Sequence, residues 1–296
     1  MGVMLELLQL ARNDVISAAA ARKAGFGPEA LDRLVRSGEL HRLVRGYYSV
    51  REPRDDEDRH WLRASAAFHR ANQTAMISHQ SALIGHGLPL YQADLTTVHL
   101  TKKRGGTTRL VPQVMMHRAV KGLAGGSDRV SPGAAIVQAG LIATPLSSLV
   151  AADAAVRKQR ATRQEIEAAA ELFGRYTGVG PVRAILREID GRHESPGETI
   201  AAHRLGALGW DTEPQFRIET DRGVFFADLR VVGHRVLVEF DGKVKYTDRQ
   251  VNFAEKQRED AIRRKDWRLV RFTWSELDDV GLMSQRVAQA IADSRR

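Results

Sequence analysis

The chain has no cysteine among its 296 residues, which excludes disulfides and thiolate zinc sites. It has no apolar run long enough to cross a bilayer, so no membrane span is expected. Residues 1–12 are apolar but short and carry Glu6. With neither a basic leader nor a cleavage site of small residues, they do not read as a signal peptide. A cytoplasmic setting is expected. No nucleophilic triad stands out, and Gly105-Gly106 lacks the lysine and hydroxyl of a phosphate loop. His79, His86, His99 and His117 follow no ligand spacing and read as packed or surface histidines rather than metal ligands.

What is present is ordinary in proportion, with 43% hydrophobic and 27% charged residues, and long enough for two or three domains. The net charge of +9 points either to a polyanionic partner or to plain solubilising charge. The basic residues cluster in three places, which favours the former. An α+β multidomain chain is expected, in segments 1–50, 51–190 and 191–296.

The first segment reads as helices over residues 3–11, 17–23 and 29–37, the last opened by Pro28. Two short strands then surround a turn at Arg45-Gly46. Helix, turn, helix and basic hairpin is the order of a winged helix. In such a domain Arg33 and Arg36 would project from the exposed face of the third helix, and Arg42 and Arg45 would sit on the wing. The alternative is a small helical domain with ordinary surface arginines.

The second segment opens on a charged linker, residues 51–58, broken by Pro53. Helices are expected over residues 59–70, from Ser78, over 144–156 and from Thr162, with Glu165 completing a capping box. Strands are expected over 97–101 and 111–117, joined by a basic hairpin loop with Lys102, Lys103 and Arg104. That loop suits phosphate or plain solvent equally. The pattern predicts a small α/β middle domain.

The third segment reads as helix, three strands, helix, strand, helix. Its first helix opens at Ser195-Pro196-Gly197-Glu198, where a capping box explains Ser195 and Glu198 as well as a metal would. Glu239 and Asp241 end the apolar strand Val236-Leu237-Val238-Glu239-Phe240-Asp241 on one face. Carboxylates this close repel unless they share a proton or hold a cation. Asp228 lies on the preceding strand, and the turn at Gly233-His234 lets the hairpin bring it to the same sheet end as Glu239. Such a set suits magnesium or manganese, hard cations that take carboxylates and keep waters. Cutting a phosphodiester calls for such an ion. Lys256, Arg258, Arg263 and Arg264, on the following helix, would face backbone phosphates or solvent.

The stretch from Ser195-Pro196-Gly197-Glu198 through Val238-Glu239-Phe240-Asp241-Gly242 to Trp267-Arg268-Leu269-Val270-Arg271-Phe272 resembles bacterial relatives of very-short-patch-repair endonuclease, within the PD-(D/E)XK nucleases. The resemblance covers about the last hundred residues. It implies an αβββαβ nuclease fold, magnesium-dependent DNA cleavage, and metal ligation by Asp228 and Glu239 with Glu198 as the helix glutamate. The family's motif lysine is Asp241 here. Lys243 or Lys245 would have to reach back in its place.

Arg33-Leu34-Val35-Arg36-Ser37-Gly38-Glu39-Leu40 with Val44-Arg45-Gly46-Tyr47-Tyr48 resembles the winged helix of type IV AbiEi-like antitoxins. Ile77-Ser78-His79-Gln80-Ser81-Ala82-Leu83 and Val98-His99-Leu100-Thr101 are similar to their second domain. This implies binding to double-stranded DNA, repression of the protein's own promoter and a cognate toxin as partner. Two functions follow as expectations. The first is a DNA-targeted endonuclease. The second is a non-catalytic antitoxin or repressor whose nuclease fold only binds.

Overall fold

Ser17 ends one element and begins another. Its Oγ accepts the Ala20 N–H at 3.1 Å and so caps the helix that follows. Such local signals set the boundaries of much of this computed structural model, which describes residues 2–123, 125–126, 128–242 and 249–295, with side chains at all of these except 2, 3 and 249–255. The chain is mixed α and β and divides into two units. One is built from residues 1–152 and 160–187, the other from 153–159 and 188–296.

The first unit begins with α1 (Gly2–Leu10), β1 (Val15–Ser17), α2 (Ala18–Lys23), α3 (Pro28–Arg36), β2 (His41–Val44) and β3 (Tyr47–Ser49). The three strands form one antiparallel sheet in the order β1-β3-β2. Leu7, Ile16, Leu31, Leu40 and Tyr48 meet in its core, burying the apolar side of each helix. Strand β1 goes beyond the sequence expectation, which ran residues 14–17 straight into a helix. Its pairing with β3 supplies what three residues cannot supply alone.

The expected linker at residues 51–58 is in its second half a helix start. Helix α4 (Asp56–Arg70) begins earlier than its periodicity suggests, because Asp55 accepts the Asp58 N–H at 2.7 Å. Asp56, Glu57 and Asp58 fill its first turn, where negative charge suits the helix dipole. Asp58 is buried and takes a two-pronged bond from Arg51, at 2.5 and 2.8 Å, with Arg54 as second cation.

The remainder of this unit comprises β4 (Ala75–Ile77), α5 (His79–Gly85), β5 (Val98–Lys102), β6 (Arg109–Val111), β7 (Val114–His117), α6 (Pro132–Ile142), α7 (Pro145–Arg157), α8 (Arg163–Leu172) and α9 (Val179–Ile185). Strand order is β4-β5-β7-β6. The expected strand over 111–117 is interrupted at Pro112-Gln113, and β5 pairs with β7 in parallel. Residues 103–108 therefore do not close a hairpin; they cross over to β6, the edge strand antiparallel to β7. Helix α8 has the expected Thr162–Glu165 capping box. Helix α6 is buried from Gly133 to Gly140, so it lacks the polar face by which a surface helix is recognised.

The second unit contains α10 (Pro196–Ala207), β8 (Thr212–Thr220), β9 (Gly223–Val231), β10 (Val236–Phe240), α11 (Arg249–Arg263), β11 (Arg268–Phe272), α12 (Trp274–Leu277) and α13 (Val280–Ser294). The sheet runs β11-β10-β9-β8, with β10 and β11 parallel and the other pairs antiparallel. Ile218, Ala227, Leu237 and Ile262 form part of its core. Thr273 and Asp279 cap the last two helices, where the sequence pattern predicts a single one.

Candidate functional site

Strand β10 carries Glu239 one residue before its end, with Val236, Leu237 and Val238 buried behind it. The β9–β10 register pairs Val238 with Leu229. Carried one step further, it sets Asp228 beside Glu239, and Asp228 Oδ2 accepts the Phe240 N–H at 2.8 Å. Glu198 sits in the first turn of α10, buried. Its cap is only half the expected box. Ser195 Oγ accepts the Glu198 N–H, but the Glu198 carboxylate accepts from the Glu194 N–H at 2.8 Å rather than from Ser195.

The charges of these groups bear on one another. Burial pushes the Asp228 carboxyl up to about 6; the Phe240 N–H opposes this, and the nearby Glu198 and Glu239 carboxylates reinforce it. Glu239 is held by two cations, Arg258 at 2.6 Å on one oxygen and Arg271 at 3.3 Å on the other. Of the helix cations expected to face phosphate, Arg258 is thus turned onto Glu239 and onto the Phe226 carbonyl. Arg263 pairs with Glu259, Arg264 with Asp221, and Lys256 is exposed. Asp241 lies just past the strand and is exposed, its N–H donating to the Phe272 carbonyl. Lys243 and Lys245 lie outside the described residues.

Gln215 is a member of this site that the sequence reading missed. It sits inside β8 at φ +54°, a left-handed conformation that costs a non-glycine residue about 1–3 kcal/mol. Its Nε2 donates to Glu198 Oε2 at 3.2 Å. A strained strand residue aimed at a buried carboxylate is a mark of a built site, and an alternating strand pattern gives no sign of it.

In the first unit Arg33, Arg36 and Arg45 are exposed. Arg42 is exposed too, but pairs with Asp32 at 2.9 Å and lies over the Tyr48 ring. Lys103 and Arg104 are exposed on the crossover and Lys102 is half-buried.

The histidines are not scattered in space. His99 on β5 and His117 on β7 approach to 2.9 Å between Nδ1 and Nε2, and His79, at the start of α5, stacks on His117 with ring centres 3.8 Å apart. Burial pushes all three below their ordinary value, His99 to about 3 and His117 to about 4, and neighbouring imidazoles push His79 and His99 down further. Among the described residues they are the group of three ligand-type side chains whose donor atoms all lie within 4.8 Å of one another; the carboxylates of the second unit are not gathered so tightly. Spacing rules search for ligands along one helix or loop, and here parallel strands and a helix start bring them together. His86 stands apart, its Nε2 bonded to the Val130 carbonyl.

Residues 5–51 match a family of transcriptional regulators, the AbiEi antitoxins. The AbiEi match runs from α1 to just past β3, about a sixth of the chain. No curated protein matches the chain. Among solved structures, the RV2827C protein from Mycobacterium tuberculosis is similar at 18% identity and a TM-score of 0.36. That similarity covers 64% of this chain and 80% of that one, and is too slight to carry an argument about fold. No helix among the described residues is long and apolar enough to cross a membrane.

Proposed function

We propose that the chain is a DNA-binding regulator of antitoxin type whose second unit hydrolyses phosphodiesters with magnesium or manganese. Residues 5–51, with the order α1-β1-α2-α3-β2-β3, form its winged helix, and the AbiEi match supports that reading. Arg33 and Arg36 on α3 approach the major groove, and Arg42 and Arg45 on the hairpin approach backbone. Lys102, Lys103 and Arg104 add a further basic surface for duplex. A cognate toxin and cytoplasmic action follow from the antitoxin type.

The observation that carries the hydrolytic half is that Glu198 and Glu239 lie near enough to bear on the Asp228 carboxyl, in the element order α10-β8-β9-β10-α11-β11. The donor set fits a hard cation: all oxygen, partly buried, and with Asp228 raised by burial and then by its like-charged neighbours. Asp228 and Glu239 would hold the ion with Glu198 beside them, and a bound ion supplies an acidified water and charge neutralisation. Gln215 holds Glu198 in place, and Arg258 and Arg271 are the cations nearest an incoming phosphate. Lys243 or Lys245 takes the part of the motif lysine that Asp241 has replaced.

A supercoiled plasmid with magnesium tests the reading. Wild type nicks or linearises it, and Glu239→Ala does not. Cleavage absent from wild type, or equal in the variant, refutes hydrolysis at this site. A second reading, a non-catalytic repressor that only binds, is favoured by Asp241 and by the two arginines already neutralising Glu239. DNA binding that survives both chelation and Glu239→Ala, with no cleavage, would establish it.

A further inference from the structure

We infer that His79, His99 and His117 form a binding site for one divalent transition-metal ion of the zinc class, separate from the carboxylates of the second unit. Its placement follows from the fold. His99 and His117 lie on neighbouring parallel strands, offset diagonally, since the register pairs His99 with Met115 and Thr101 with His117. Residues two apart share a face, so His99, Thr101, Met115 and His117 point the same way. His79 joins them from the start of α5 at φ +57°, a conformation that strains an ordinary side chain and is tolerated where something holds it.

The surroundings are those of an oriented ligand set rather than of a plain core. Ser78 Oγ lies 2.9 Å from His79 Nδ1, and so bears on which ring nitrogen faces inward. The His79 N–H donates to Gln138 Oε1 at 3.4 Å, and Gln138 Nε2 donates to Thr101 Oγ1 at 3.2 Å. The His99 N–H donates to Ser81 Oγ, 2.9 Å away, which in turn lies 2.7 Å from His60 Nε2. No carboxylate takes part in these contacts. Three imidazoles packed on one another offer only nitrogen donors to the space between them, and an ion at their centre turns the same contacts into ligation.

The donor type selects the ion. Imidazole nitrogens suit zinc, copper, iron or nickel and not magnesium, which takes oxygen. Tetrahedral ligation at about 2.0–2.1 Å sets nitrogens roughly 3.4 Å apart. One pair here is at 2.9 Å and all donor atoms lie within 4.8 Å, so small side-chain rotations complete the set. His117 is only half-buried, which leaves the fourth position to water. Three protein ligands plus a solvent position is the pattern of a reactive site rather than a closed structural one.

The test uses the full chain, stripped by chelation and titrated with cobalt(II) as a coloured substitute for zinc. Bound metal is measured by elemental analysis and visible absorption. Wild type and Glu239→Gln are both expected to show the bands of one four-coordinate, nitrogen-ligated ion. His99→Gln and His117→Gln are expected to weaken binding by more than the roughly 100-fold that loss of an outer partner costs. Circular dichroism checks that the variants fold, and the half-buried His117 is the more tolerant position. If wild type shows no such bands, or both folded histidine variants keep them, the inference is overturned. Metal lost in Glu239→Gln but kept in His99→Gln would place the ion in the second unit and also overturn it.

Discussion

Replacing Asp228 by asparagine should stabilise the second unit at neutral and alkaline pH. Asp228 is half-buried beside Glu198 and Glu239, and its carboxyl is raised from 3.8 to about 6. A raised carboxyl contributes stability only while protonated. That contribution is complete below about pH 4, fades as the pH rises towards 6, and is gone above it. A shift of this size is worth about 3 kcal/mol at about 1.4 kcal/mol per unit, and partial exposure reduces it to about 1–2 kcal/mol. Asparagine keeps an oxygen to accept the Phe240 N–H and offers its amide to the neighbouring carboxylates. The variant should therefore exceed wild type by about 1–2 kcal/mol at about pH 8 and match it near pH 4. Urea unfolding in the presence of a chelator reads this directly. Of the four tryptophans, Trp210, Trp267 and Trp274 lie in the second unit and report its unfolding by fluorescence. A gain that is the same at both pH values, or a loss at pH 8, would refute the argument from burial and like charge.

Other perturbations act elsewhere. Asp58→Ala removes the hydrogen-bonded carboxylate shared by Arg51 and Arg54, both of which stay solvent-accessible, and should cost the first unit about 1–3 kcal/mol in thermal unfolding. The Arg51 bond holds the Asp58 carboxyl well below its ordinary range, so its contribution is present at neutral pH and lost only in strong acid. Wild type and variant should converge there in acid titrations. Gly197→Ala drives a methyl group into the Phe240 ring, which also packs on Trp274, and overpacking should cost about 1–3 kcal/mol, measured by urea unfolding. Arg33→Ala and Arg36→Ala should each lower duplex affinity and, if they contact phosphate, reduce its salt slope by about one unit in a fluorescence anisotropy titration.

The second unit was the more legible part of the sequence. The apolar run of β10 is plain, and the Gly233-His234 turn marks the hairpin that sets Asp228 beside Glu239. Elsewhere the information is not local. Strand β1 exists because β3 pairs with it, and α6 has no polar face to show its period. The parallel pairing of β5 with β7 inverts what two strands and a basic loop suggest. The same pairing hides the histidines, whose separation along the chain hides their contact. Gln215 was invisible for a different reason: its function rests on a dihedral angle, which composition does not encode.

Asp153 has a consequence for how this protein can be taken apart. It belongs to the second unit although it stands on α7, ahead of residues 160–187, which belong to the first. Fully buried, it accepts from the Asp190 N–H at 2.8 Å and the Thr199 hydroxyl at 2.8 Å, and pairs with His193 at 2.7 Å. A fragment cut after residue 188 would carry these groups without their acceptor. The second unit is thus no free cassette. Grafted onto another protein it would need a borrowed carboxylate, and any lineage that exchanged it would have had to carry α7 along.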